Sequence, residues 1–60
     1  MTPRNTAARG QGARAVLANR LHGAPPPVNP YPARQMRHRY FALGQQQAAQ
    51  LVDRLDWLTR

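Results

Sequence analysis

The sequence predicts an all-α chain with a short N-terminal helix, an extended proline-rich linker and a long amphipathic C-terminal helix. Apolar residues recur at helical spacing on both sides of residues 24–33, and that stretch holds five of the six prolines. The chain has only 60 residues and no cysteine, so we expect little or no independent core. We divide it into a basic arm with a short helix (1–23), a polyproline II-like linker (24–33) and a docking helix (34–60).

The first helix is predicted over residues 6–22. Asn5 or Thr6 is the candidate N-cap, and Gly23 supplies the left-handed residue that ends many helices. Gly10 and Gly12 each cost up to about 1 kcal/mol inside a helix, so the firm part of the prediction is 13–22. Within it, one narrow apolar stripe comprises Ala13, Val16, Leu17 and Leu21.

The linker is predicted to be extended, because proline locks its own φ and moves the preceding residue out of the helical region. Such a segment is a semi-rigid spacer, which argues against a tight hairpin with a short loop but leaves a wide turn between the helices open. Pro27 and Pro30 form a PxxP spacing. PxxP arises readily in proline-rich runs, so we expect a spacer, or an arm lying along a partner, rather than a groove ligand.

The second helix is predicted from about Ala33 to Thr59, with Pro32 at its first position and an Asp56–Arg60 pair in its last turn. A seam with successive spacings of 3, 4, 3, 4 and 3 runs along it, composed of Phe41, Gly44, Ala48, Leu51, Leu55 and Leu58. The seam and Trp57, a candidate interface anchor, are the predicted partner-docking residues.

The seam has two interpretations, which differ in what covers it. Gly44 and Ala48 form a notch that lets another helix approach closely. That helix is either the first helix of this chain or part of another molecule. Because the first helix offers only four apolar positions, the sequence favours an external partner or self-association.

The net charge of +7 arises entirely in the first 39 residues, since no acidic residue precedes Asp53. Arginine supplies all of it, and guanidinium groups match phosphate and carboxylate oxygens. The predicted contacts to an anion or nucleic acid are Arg4, Arg9, Arg14, Arg20, Arg34, Arg37 and Arg39. The alternative is a solvated basic face with arginine enriched by codon bias.

An enzyme is not expected, because the chain has no cysteine or lysine and its only carboxylates are Asp53 and Asp56. The two histidines, His22 and His38, are separated by the linker, so neither a metal site nor a cofactor is expected. No apolar run reaches the roughly 18 to 20 residues of a membrane span, and membrane insertion is not expected.

The leading hypothesis is a small non-enzymatic structural or accessory protein of a large protein assembly, in which many copies could be present. A virion is the favoured assembly, with a virion or cytoplasmic location. The alternatives are a free-standing nucleic-acid-binding protein that dimerises through the C-terminal helix, and a small inhibitor of a host enzyme. Nothing in the residues identifies the partner.

Overall fold

A computed structural model of the chain describes residues 3–59. Two helices, α1 (Pro3–His22) and α2 (Met36–Thr59), account for most of this part of the chain, and it contains no strand. The prediction of an all-α fold with two helices is therefore confirmed. The predicted Asp56–Arg60 pair lies outside the described residues, because Arg60 is not among them.

Helix α1 begins earlier than predicted, at Pro3. Proline is favoured at the first position of a helix, where its missing N–H has no helical partner to lose. Gly10 and Gly12 both lie inside the continuous helix, so the doubt that they raised about its first half was wrong. The cost of Gly12 is offset by a tertiary contact, described below, that only glycine permits.

The end of α1 follows the prediction. Gly23 has a φ of +70°, the left-handed conformation that glycine adopts without a Cβ penalty. The N–H of Ala24 then donates to the carbonyl of Ala18 at 3.2 Å, and the side-chain amide of Asn19 donates to the carbonyl of Ala24 at 2.8 Å. These bonds satisfy backbone groups where the helix stops and the linker begins.

Helix α2 begins three residues later than predicted, at Met36 instead of Ala33. A turn comes first, in which the N–H of Gln35 donates to the carbonyl of Pro32 at 2.9 Å. The N–H of His38 in turn donates to the carbonyl of Gln35 at 3.1 Å. The proline therefore opens a turn that leads into the helix and is not its first residue.

The two helices lie side by side and run in the same direction. Near their N-terminal ends, Arg4 lines the same cleft as Arg37. Near their C-terminal ends, Arg20 forms an ion pair with Asp53 at 3.2 Å. The 20-residue α1 is about 30 Å long, and an extended linker at about 3 Å per residue is long enough to return the chain to its start. The length of the linker is what allows this parallel arrangement.

The expectation of little or no independent core was wrong, because α1 packs against α2. The buried residues on α1 are Ala8, Gly12 and Val16, and those on α2 are Phe41, Gly44 and Ala48. Most of them are small, so the core gains close backbone contact instead of bulky side chains. Counting only the large apolar residues of a sequence therefore underestimates how well two such helices pack.

Gly12 and Gly44 mark the closest approach of the two helices. A Cβ on Gly12 would lie 2.9 Å from the carbonyl carbon of Phe41. A Cβ on Gly44 would lie 2.9 Å from the carbonyl carbon of Arg9. Neither position has room for a side chain, because the backbone of the other helix occupies the place where a Cβ would lie.

Tyr31 fastens the linker to both helices. Its ring meets Phe41 edge to face at a centroid distance of 6.0 Å, and its hydroxyl donates to the side chain of Gln11. The side-chain amide of Asn29 donates to the carbonyl of His38 at 2.9 Å and accepts from the N–H of Tyr31 at 3.1 Å. The Nδ1 of His38 lies 2.9 Å from the carbonyl of Tyr31. The linker is thus part of the fold.

Candidate functional surfaces

The predicted docking seam is covered along only half of its length. Phe41 and Ala48 are each 5% exposed, and α1 covers them together with Gly44. For these three residues, the partner within the structure is the chain's own first helix. Leu51 and Leu55 continue the same seam, yet each is 52% exposed. The part of the seam that α1 leaves uncovered is therefore its C-terminal half.

We call the exposed C-terminal half the apolar end. The C-terminal parts of α1 and α2 enclose a groove of about 460 Å³ there, and its apolar lining residues are Leu17, Leu21, Leu51, Val52 and Leu55. Leu58 is 63% exposed beyond the groove, and Trp57 is 71% exposed. Clustered exposed leucines mark an interaction surface more often than scattered ones do.

The polar rim of the apolar end is electrically mixed. Arg20 and Asp53 pair across the two helices, and their side chains are 44% and 66% exposed. Asp56 also lines the groove. Exposed ion pairs contribute little free energy. The apolar residues are therefore the main source of binding energy that this end offers to a partner.

The opposite end of the pair is cationic, and we call it the arginine end. It comprises Arg4, Arg34, Arg37 and Arg39, which lie at the beginnings of the two parallel helices. Neither helix has an acidic residue in its first turn. Both helix dipoles add partial positive charge at this end. The result is a concentrated positive potential at one pole of the molecule.

A cleft of about 280 Å³ at the arginine end brings residues of both helices together. Arg4 and Asn5 come from α1, and Gln35, Met36 and Arg37 come from the turn and the start of α2. The guanidinium of Arg37 is held in place, since it lies 4.8 Å from the ring centre of Tyr31 and donates to the Oε1 of Gln35 at 2.9 Å. An arginine held in this way loses less side-chain entropy when it binds an anion.

A second concavity, of about 460 Å³, adjoins the cleft through the shared residue Met36. Its lining combines Met36, Tyr40 and Leu43 with Arg39 and His38. Met36 is 52% exposed there, and Tyr40 is half-buried. The arginine end therefore has an apolar and aromatic surface directly beside its charged cleft.

The seven arginines predicted to contact an anion do not form one surface. Arg9 donates to the Oε1 of Gln47 at 2.8 Å, and Arg20 pairs with Asp53, so both are used across the helix pair. Arg14 is exposed in the middle of α1. Of the seven, Arg4 and Arg37 line one cleft, and whether any of the seven binds an anion stays a prediction.

The residues that could bind a metal ion lie apart within residues 3–59. No group of three or more histidine, cysteine or acidic side chains is close enough to hold a metal ion. His22 ends α1 and His38 lies near the start of α2, which places them at opposite ends of the parallel pair. Within the same residues, neither helix is long and apolar enough to cross a membrane.

Several residues at these surfaces were not singled out from the sequence. Leu17 and Leu21 were assigned to a narrow packing stripe, yet they line the groove, and Leu21 is 62% exposed. The contact of Tyr31 with the helices had one indication in the sequence: an aromatic residue is out of place in a proline-rich segment that only serves as a solvated spacer.

No protein-family model matches the chain, and the comparisons with curated proteins and with solved structures found no match either.

Proposed function

We propose that this chain is a small non-enzymatic accessory or structural protein that docks on a larger assembly through its apolar end. The observation that carries the proposal is the uneven covering of the seam. One half of the seam is closed by α1, while Leu51, Leu55 and Leu58 remain more than half exposed. A partner that covers these leucines buries the part of the seam that α1 leaves exposed.

Burial of these side chains would supply the binding energy. Full burial of a leucine is worth roughly 1.5 to 3 kcal/mol relative to full exposure, so each half-exposed leucine offers about 1 kcal/mol to a partner. Leu21 lines the groove and enlarges the surface. Trp57 is exposed near the same end of α2, off the seam, and tryptophan is enriched among residues that dominate binding. The groove between the helices supplies a concave seat for a partner's side chains.

The arginine end is proposed to face an anionic component of the same assembly. It lies at the other pole of the molecule from the apolar end, so both can be engaged at once. The composition, more than the geometry, favours a virus particle: the chain is short, without cysteine, and arginine is used to the exclusion of lysine. These features fit a chain that works only as one component among many.

Docking can be tested with one substitution and a matched control. Leu55→Asp places a charge within the apolar end and should shift a tagged chain, expressed in its source cells, from a fast-sedimenting fraction to the free fraction. Gln50→Asp introduces the same charge on an exposed face of the same helix and should leave sedimentation unchanged. If Leu55→Asp co-sediments as the unsubstituted chain does, docking through the apolar end is excluded.

A second candidate is a free-standing nucleic-acid-binding protein that dimerises through the apolar end. The observation that favours it is the cleft shared by Arg4 and Arg37, in a part of the sequence with no acidic residue before Asp53. Sedimentation equilibrium of the purified chain separates the two candidates. A dimer that Leu55→Asp dissociates supports the second candidate, and a monomer at micromolar concentration supports docking on another protein. No contact favours the inhibitor hypothesis, which stays a prediction.

A further inference from the structure

The arginine end carries the second inference, since the structure puts a charged cleft and an apolar concavity side by side. We infer that this end binds single-stranded nucleic acid, with a backbone phosphate between Arg4 and Arg37 and a base against Met36 and Tyr40. The inference rests on the proposed function only in naming the anionic partner of that end. Docking through the apolar end is a separate property.

The phosphate subsite is the cleft of about 280 Å³ that Arg4 and Arg37 share. Guanidinium groups bind phosphate oxygens through paired N–H donors. The Tyr31 ring at 4.8 Å and the Gln35 amide at 2.9 Å hold the guanidinium of Arg37, whose side chain helps to line the cleft. With no acidic residue before Asp53, no carboxylate in this part of the chain competes for these donors.

The base subsite is the adjoining concavity of about 460 Å³. Its surface is formed by Met36, Tyr40 and Leu43, and Arg39 lies at its edge. Phe41 is buried against α1 and Tyr31 is covered by Arg37 and Phe41. Tyr40 is therefore the aromatic side chain of this end that remains for stacking. Unpaired bases stack on aromatic rings with little regard to sequence.

This pair of subsites favours a single strand over other polyanions. In a duplex the faces of the bases are stacked inside the helix, and a side chain on the protein surface does not reach them. An acidic protein segment would engage Arg4 and Arg37, but its carboxylates have no use for the concavity at Tyr40. Among these polyanions, a flexible single strand offers both a phosphate and an exposed base within one nucleotide.

The first test removes equal charge from two places. Fluorescence anisotropy with a labelled oligo-dT of about 15 nucleotides should show that Arg4→Gln/Arg37→Gln weakens binding at least about tenfold. Arg54→Gln/Arg60→Gln removes the same two charges from the C-terminal part of the sequence, at arginines that are not predicted anion contacts, and should change the affinity less than about twofold. Equal weakening in the two variants would mean diffuse attraction and overturn the site.

Folding and binding are separated by two further measurements. Circular dichroism shows whether the Arg37 substitution loosens Tyr31, and Arg4→Gln alone, at an exposed residue, tests the cleft without disturbing that contact. The slope of log affinity against log salt should become shallower by about 0.7 for every single-strand phosphate that the variant no longer binds. An unchanged slope in a folded Arg4→Gln variant argues against a phosphate at the cleft.

The base subsite is tested at Tyr40. Tyr40→Ala should weaken binding of the oligonucleotide about tenfold, and Tyr40→Phe, which keeps the ring, should restore it. If Tyr40→Ala has no effect and polyglutamate displaces the oligonucleotide at equal concentration, the partner is an acidic protein. Equally tight binding of a duplex also overturns the inference. Leu55→Asp should not change oligonucleotide binding, so failure of docking and failure of this inference are distinguishable.

Discussion

The N-terminal and C-terminal halves of the helix pair use the same seam in opposite ways. In the first half, Gly12 and Gly44 let the backbones touch, and Phe41 is buried to 5% exposure. In the second half, leucines face each other across a groove of about 460 Å³ and stay exposed. Where the facing residues are small, the two helices are in contact, and where they are leucines, a groove lies between the helices. An apolar pattern therefore does not by itself say which part becomes core.

The largest contrast between the halves should come from truncating one residue in each. Phe41→Ala removes a buried aromatic side chain and should cost about 3 to 5 kcal/mol, enough to unfold a chain of this size. Leu55→Ala, at a residue that is 52% exposed, should cost less than about 1 kcal/mol. Thermal unfolding followed by circular dichroism measures both. Equal costs would show that the two halves do not differ as core and surface.

Two glycines in one helix test the close approach itself. Gly12→Ala should destabilise the chain by about 1 to 3 kcal/mol, because its Cβ meets the Phe41 backbone. Gly10→Ala is the matched control: its Cβ would meet only the end of the Arg14 side chain, at 3.9 Å. That variant should gain up to about 1 kcal/mol from helix propensity. Urea titration of the two variants would contradict the glycine contact if both gained stability.

The linker is expected to stabilise the first half more than the second. Asn29→Ala removes hydrogen bonds to His38 and Tyr31 and should cost about 1 to 2 kcal/mol. Val28→Ala, at a residue that is 84% exposed, should be close to neutral. Hydrogen exchange should show faster exchange of amides near Tyr31 in the Asn29 variant. Unchanged protection there would mean that the linker is not fastened to the helices.

The smallest effect is expected in the second half, at the Arg20–Asp53 ion pair. Both side chains are well exposed, so Asp53→Asn should change the free energy of unfolding by no more than about 0.5 kcal/mol. The measurement is the same thermal scan at low and high salt. A destabilisation above about 1 kcal/mol would show that this half is held more tightly than its exposure indicates.

Much of the local structure could be predicted from the sequence. The helical spacing of Phe41 to Leu58, the stop at Gly23 and the lack of helix in the proline-rich segment 24–33 are consequences of nearby residues and their backbone preferences. The candidate site was predicted in parts: the leucines of the apolar end and the arginines were named. Their grouping into two poles was not, because it depends on which residues the fold brings together.

The burial of Gly12 shows why single-residue propensities failed in one place. Judged alone, a glycine inside a helix is a defect. Opposite Gly44 it is the position that allows the two backbones to meet. The benefit comes from a residue on the other helix, beyond the linker, and no local window of the sequence contains both glycines.

The sequence by itself determined that this chain forms two helices, a proline-rich linker, a cationic front and a leucine-rich rear, since each of these follows from composition and short-range periodicity. Only the tertiary structure decided that the helices run in parallel, that one half of the seam is covered and that Arg4 meets Arg37. Those outcomes depend on how far the linker reaches and on backbone contact between distant glycines. Both are properties of the folded chain and not of any segment.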